Sequence, residues 1–182
     1  MRTGAVLVLA LAASWQGIAQ SQADAEAALL KYAQVLKSYD TEKMSKFMHP
    51  EALTRFRTTI DTALQGSKQG LAVKELLPLF SVTTAADFAQ LSDLEVYKRL
   101  NDTVAKTSPE LLELMSGATC EVVGSFLKDD IAYVTYTLGL TVNGKAMNTQ
   151  VVQKLKLHDG QWLLMLPSTA EASIAGIEAR FK

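Results

Sequence analysis

The rhythm of apolar and polar positions changes near residue 118. Before that point apolar residues recur at helical spacing; after it they alternate with polar ones. The first half therefore predicts helices and the second half predicts strands. Residues 22–38 place Leu29, Tyr32, Ala33, Leu36 and Tyr39 on one stripe. Asp40 opens a short second helix with Met44, Phe47 and Met48 as its apolar side, and His49-Pro50 ends it, because the residue before proline disfavours helical geometry. A third helix over 51–65 turns Leu53, Phe56, Ile60, Ala63 and Leu64 inward, and Gly66 and Gly70 bracket a break. Short helices are expected over 71–80 and 84–91. Ser92-Asp93-Leu94-Glu95 is a capping box that starts a helix to about 106, and Ser108-Pro109 starts another that Gly117 stops.

Four alternating runs follow, over 119–127, 131–142, 145–157 and 162–166. The turns between them are read as Lys128-Asp129-Asp130, Asn143-Gly144 and His158-Asp159-Gly160-Gln161. Asn-Gly is the strongest two-residue hairpin signal. Turn length fixes which residues share a face. The predicted pairs are 126 with 132, 122 with 136, 134 with 153, 136 with 151, 138 with 149, 140 with 147, and 155 with 164. One face then collects Cys120, Val122, Phe126, Ala132, Val134, Tyr136, Leu138, Leu140, Met147, Val151, Leu155, Trp162 and Leu164. The other collects Glu121, Ser125, Tyr133, Thr135, Thr137, Thr141, Asn148, Gln150, Lys154 and Lys156. This is an antiparallel meander with one face on the helices and one largely solvated. Ser168-Thr169-Ala170-Glu171 is a further capping box and begins a C-terminal helix to about 180. The expected class is α+β, a helical N-terminal half packed on one face of a curved antiparallel sheet.

The extreme N-terminus reads differently. Arg2 is followed by the apolar run GAVLVLALAA over residues 4–13, shorter than the roughly 20 residues a stable membrane anchor needs. Gly17-Ile18-Ala19 then offers a small-x-small cleavage site. Together these predict a secretory signal peptide over 1–19, with residues 20–182 as one exported domain, periplasmic or secreted. Without Arg2 the chain carries 17 basic and 19 acidic residues, with no basic cluster for a nucleic acid or an anionic lipid surface. No later stretch is apolar for long enough to span a membrane. Cys120 is the single cysteine, so no intrachain disulfide can form; on the apolar face of a strand it reads as a small hydrophobe.

The long first helix ending in Ser38-Tyr39-Asp40, the segment KMSKFMHPEAL over 43–53 and the C-terminal strands resemble the NTF2-like superfamily, which includes SnoaL-like and ketosteroid-isomerase-like proteins. The chain departs from that pattern in the extra helices over 66–117 and in the helix after the last strand. The resemblance implies a cone between sheet and helices. In proton-abstracting members, a carboxylate base works there beside a tyrosine or protonated acid donor.

The apolar sheet face of this chain has no Asp or Glu, and Glu121 has the wrong parity. A base could come from a helix, at Asp40 or Asp87, but each reads better as a helix cap or a solvated surface residue, so no catalytic residue is assigned. His49 ends a helix and His158 lies in a turn, neither beside Cys120 or a serine, and two histidines alone make no metal site. No cofactor motif is present. Arg55 and Arg57 flank Phe56 and read as a solvated helix face. The polar members of the apolar face are Tyr136, Thr149 and Gln153. With Trp162 they are the candidate ligand-binding residues, polar groups and aromatic walls that would orient a small apolar molecule. The leading expectation is an exported, non-catalytic binding module whose partner is a small apolar molecule or another envelope protein. The alternatives are a SnoaL- or isomerase-type enzyme and a structural module that forms a homodimer through a sheet face.

Overall fold

The computed structural model describes residues 5–181, with side chains from Ser21 onward. The expected signal segment, residues 1–19, thus lies outside the residues whose side chains are described. The protein is α+β: helices pack on one face of a curved four-stranded antiparallel sheet, and a helix follows the last strand. The elements are α1 Ala5–Ser38, α2 Thr41–Lys46, α3 Pro50–Gln65, α4 Gln69–Leu76, a 3-10 turn Leu77–Phe80, α5 Ala85–Ala89, α6 Asp93–Thr107, α7 Pro109–Ser116, β1 Thr119–Lys128, β2 Ile131–Val142, β3 Lys145–His158, β4 Gln161–Leu164 and α8 Ser168–Phe181. The strands lie in chain order.

The helix boundaries follow from local chemistry. Asp40 accepts from the Lys43 N–H to start α2. Thr84 with Asp87, and Ser92 with Glu95, form reciprocal capping boxes on α5 and α6. Ser108 precedes α7 without a side-chain cap, leaving Pro109 to set the first turn. The box expected at 168–171 does not form. Ser168 is already inside α8, and the first-turn amides of Ala170 and Glu171 donate to the Pro167 carbonyl.

The β2–β3 register is the expected one, with Val134 opposite Gln153, Tyr136 opposite Val151 and Leu140 opposite Met147. Leu155 faces Leu164 as expected, although the β3–β4 turn is tighter, with His158 already paired to Gln161. The β1–β2 hairpin departs from expectation. Its turn has two residues, Lys128 pairing with Ile131, and a bulge lies between Val122 and Gly124. The extra residue, Val123, flips the parity of everything after it. Phe126, expected on the core face, therefore pairs with Tyr133 on the outer face. Ser125, expected outside, pairs with Val134 and donates from its hydroxyl to Glu26 Oε1 on α1 at 2.6 Å.

The core lies between the helices and the lower part of the inner sheet face. Ala25, Leu29, Met48, Leu53, Phe56, Ile60, Leu64 and Phe80 meet Ala132, Val134, Leu155, Trp162 and Leu164 there. The helices do not cover the far end of the β2–β3 hairpin. Residues 141–150 are all exposed, which explains why Met147 is 55% exposed despite its core parity. Among the described residues no helix is long and apolar enough to cross a membrane.

Candidate functional site

The four sequence-derived candidates do not converge on one cavity. Tyr136 lines an apolar cleft between α1, α7, β1 and β2, together with Leu29, Tyr32, Leu36, Met115 and Cys120. Gln153 is buried at 4% exposure, and its amide nitrogen donates to the carbonyls of Lys154 and Met165 at 2.8 Å each. It ties β3 to the chain leaving β4. Trp162 pairs with Leu157 toward the other end of the inner face and borders a groove with Phe47, Lys31 and Lys46. Thr149 has the expected parity, opposite Leu138, but stands exposed on the overhanging hairpin.

The cleft under α1 is small, about 60 Å³, well below the several hundred cubic ångströms of a ligand pocket. Its walls are largely apolar, with Tyr32, Lys37, Thr119, Cys120 and Tyr136 as the polar members. Burial pushes the Cys120 thiol and the Tyr136 phenol above their ordinary pKa values; Lys37 opposes the shift at Cys120. Burial also holds the neighbouring Tyr32 phenol well above its usual range, reinforced by the Tyr97 phenol beside it. Tyr39 donates to Asn101 Oδ1 at 3.3 Å, and Asn101 Nδ2 donates to the Tyr97 carbonyl at 2.9 Å. These phenols stay protonated at neutral pH and act as donors rather than bases. The residues lining the cleft include no carboxylate.

Asp40, Asp87, Arg55 and Arg57 all have structural partners. The Asp40 carboxylate caps α2 and pairs with Lys43 at 2.9 Å; the Asp87 carboxylate accepts from Thr84. Arg55 pairs with Glu178 on α8. Arg57 is not part of a solvated face. Its side chain is 16% exposed, donates to the Leu91 and Ala89 carbonyls and to Asp61, and lies 5.4 Å over the Phe88 ring. No group of three or more metal-ligating side chains occurs among the described residues.

Two features escaped the sequence reading. The first is on the outer sheet face, where Phe126 stacks flat on Tyr133 with centroids 4.7 Å apart and planes 3° apart. Phe126, Val123 and Val152 are each at least half exposed around it. Lys154 Nζ lies 5.9 Å from the Tyr133 ring centroid, and Lys128 shares the face. Gly124 was the available signal, since a glycine inside a strand pattern often marks a bulge. The second is the pairing of His49 with His158, whose ring centroids lie 5.2 Å apart. Residues 109 apart give no sequence signal of contact.

The fold and these surfaces define an α+β domain with a nearly closed interior and an open outer sheet face. Comparison with family models, with curated proteins and with solved structures finds no match.

Proposed function

We propose that this chain is an exported, non-catalytic binding module that docks another envelope protein on the outer face of its sheet. The observation that carries this reading is the exposed Phe126–Tyr133 stack, flanked by Val123 and Val152, on a face no helix covers. An aromatic and aliphatic centre inside a polar rim has the anatomy of a protein interface. The rim is mainly basic, with Lys128 and Lys154 against Glu121. The partner fitted to it presents an apolar patch bordered by carboxylates. The resemblance to the NTF2-like superfamily is compatible with such a role, because that fold hosts non-catalytic modules as well as enzymes. A second reading, a small apolar molecule in the α1–α7 cleft, is favoured by the apolar walls around Tyr136. It requires the helices to part, since the closed volume holds only a few heavy atoms.

The test is a photo-crosslinking residue at position 152, used in the native organism. One defined protein adduct is expected. It should be lost in Phe126→Ser and Lys154→Glu and kept in Cys120→Ser, which alters only the cleft. An adduct indifferent to Phe126→Ser overturns the reading. So does an adduct with a second copy of the chain, which makes the face a homodimer interface. A stoichiometric apolar molecule extracted from the native protein transfers the function to the cleft. Export is tested separately by N-terminal analysis. The mature chain should begin at Gln20, and a cytoplasmic chain retaining Met1 refutes it.

A further inference from the structure

His49 occupies an unusual position for a histidine. It is the N-cap of α3, and its Nδ1 accepts the Glu51 N–H at 3.1 Å. Only a neutral imidazole can accept at that nitrogen. The residue is buried, at 3% exposure. Its backbone N–H donates to the Leu164 carbonyl at 2.8 Å, and the Leu164 N–H donates to the Phe47 carbonyl at 2.8 Å. Met48 thus forms a parallel bridge with Leu164 and covers the outer edge of β4. The same few residues start a helix and close a sheet edge.

We propose that His49 is a pH-sensitive latch: its neutral ring caps the start of α3 and so fixes the residue whose backbone N–H closes the edge of β4, and its protonation removes that cap and loosens the edge. Protonation removes the acceptor of the Glu51 N–H. It also places a positive charge at the positive end of the α3 dipole.

The charged groups around the ring come from three directions. On α3, Glu51 favours the imidazolium, but Lys156 holds that carboxylate at 2.7 Å. On β3, His158 and Lys156 disfavour it. From the β1–β2 turn Asp130 favours it, while also lying 3.5 Å from Lys156. Asp159, in the β3–β4 turn, lies 3.5 Å from His158 Nε2. Burial is the largest influence on His49, and it acts against the charged form.

The sign follows directly. A histidine whose folded value lies below its ordinary value of about 6.5 loses stability as pH falls from that value toward the folded one. The open state binds the proton that the latched state refuses. Release bares the Leu164 N–H and carbonyl, an unpaired strand edge able to take another chain. Acidification would then expose a second contact surface, separate from the Phe126 face.

The experiment is an imidazole NMR titration of the purified protein, together with amide hydrogen exchange corrected for intrinsic rates. His49 is expected to titrate below the ordinary histidine value, because burial disfavours its charged form. Protection at Glu51, His49 and Leu164 should fall between pH 7 and pH 5, by at most about tenfold per pH unit. His49→Asn keeps a capping oxygen that does not titrate. It should retain protection at pH 7 and lose the pH dependence. His158→Gln should keep the pH dependence, since His49 carries it. The latch is overturned if His49→Asn shows the wild-type pH dependence. It is equally overturned if wild-type His49 becomes protonated while the Glu51 and Leu164 amides stay protected. The wild-type measurement decides the matter even if the Asn variant fails to fold.

Discussion

Gln153 shows how one buried side chain can be read two ways. In sequence it is a polar residue on an apolar face, either satisfied by backbone or water or turned into a pocket. In the structure both amide hydrogens are spent on the Lys154 and Met165 carbonyls. Gln153→Leu keeps most of the volume but strands the Met165 carbonyl, while the Lys154 carbonyl still accepts from the Met165 N–H, so a loss of about 1–3 kcal/mol is expected in urea denaturation. An unchanged midpoint would mean that water satisfies the Met165 carbonyl. Parity and pairing made Gln153 and Tyr136 legible, because the Asn143-Gly144 turn fixes the β2–β3 register. Phe126 was not legible. One bulged residue, Val123, sends it to the opposite face, and alternation along β1 looks regular on either side of the bulge. Cys120 was placed correctly by strand and face, yet it borders a cleft and is only half-buried. Slow labelling by a thiol reagent under native conditions is expected. Its thiol is raised by burial, and the thiolate is the reactive form.

At the scale of elements, the caps at Asp40 and Ser92 are legible in the sequence, the reciprocal box at Thr84 is not, and the box at 168–171 does not form. Asp40, Thr84 and Ser92 each start the helix their chemistry favours. What local pattern could not supply was the way helices are joined. Arg57 sits on α3 but spends its guanidinium on the carbonyls of Ala89, at the end of α5, and Leu91, in the link to α6, and on Asp61. Its donors and its position over Phe88 need a planar fork, which lysine lacks. Arg57→Lys should therefore cost nearly as much as Arg57→Ala, on the order of 1–3 kcal/mol, through the carbonyls left without partners. A melting temperature restored by lysine would reduce Arg57 to a point charge. The partners of Arg57, which include Asp93 at 3.6 Å, also explain why two arginines flanking Phe56 give a misleading surface signal: only Arg55 behaves as a rim residue, paired with Glu178 at 49% exposure.

For the whole molecule, pH separates the forces that hold the parts together. Near neutrality the folded state is supported by a neutral His49 and by ionised carboxylates. Asp40, Glu51, Glu75, Asp87, Glu95 and Asp102 are all held below the ordinary carboxylate range. The causes differ. Lys43, Lys156 and Arg180 hydrogen-bond to the carboxylates of Asp40, Glu51 and Glu75; backbone and hydroxyl donors of Ser92 and Thr84 hold Glu95 and Asp87. Asp102 is lowered by Lys98 and Thr41 against the opposing pull of burial. A group whose folded pKa is depressed stabilises above its unfolded pKa and ceases to do so as pH falls through the folded one. Stability should therefore decline in two stages. The first begins below about pH 6.5 and belongs to His49; the second begins below about pH 4.5 and belongs to the carboxylates. Urea midpoints measured from pH 8 to pH 3 should show a shallow step and then a steeper fall. His49→Asn should erase the first stage alone. Salt should weaken the contribution of the exposed pairs to the second stage while leaving the capping boxes of α5 and α6 in place, because screening acts on separated charges more than on short backbone hydrogen bonds. A single decline with no step above pH 5 would show that His49 gains its proton without loss to the fold, and the backbone hydrogen bonds between the start of α3 and the edge of β4 would then hold whether or not the imidazole caps the helix.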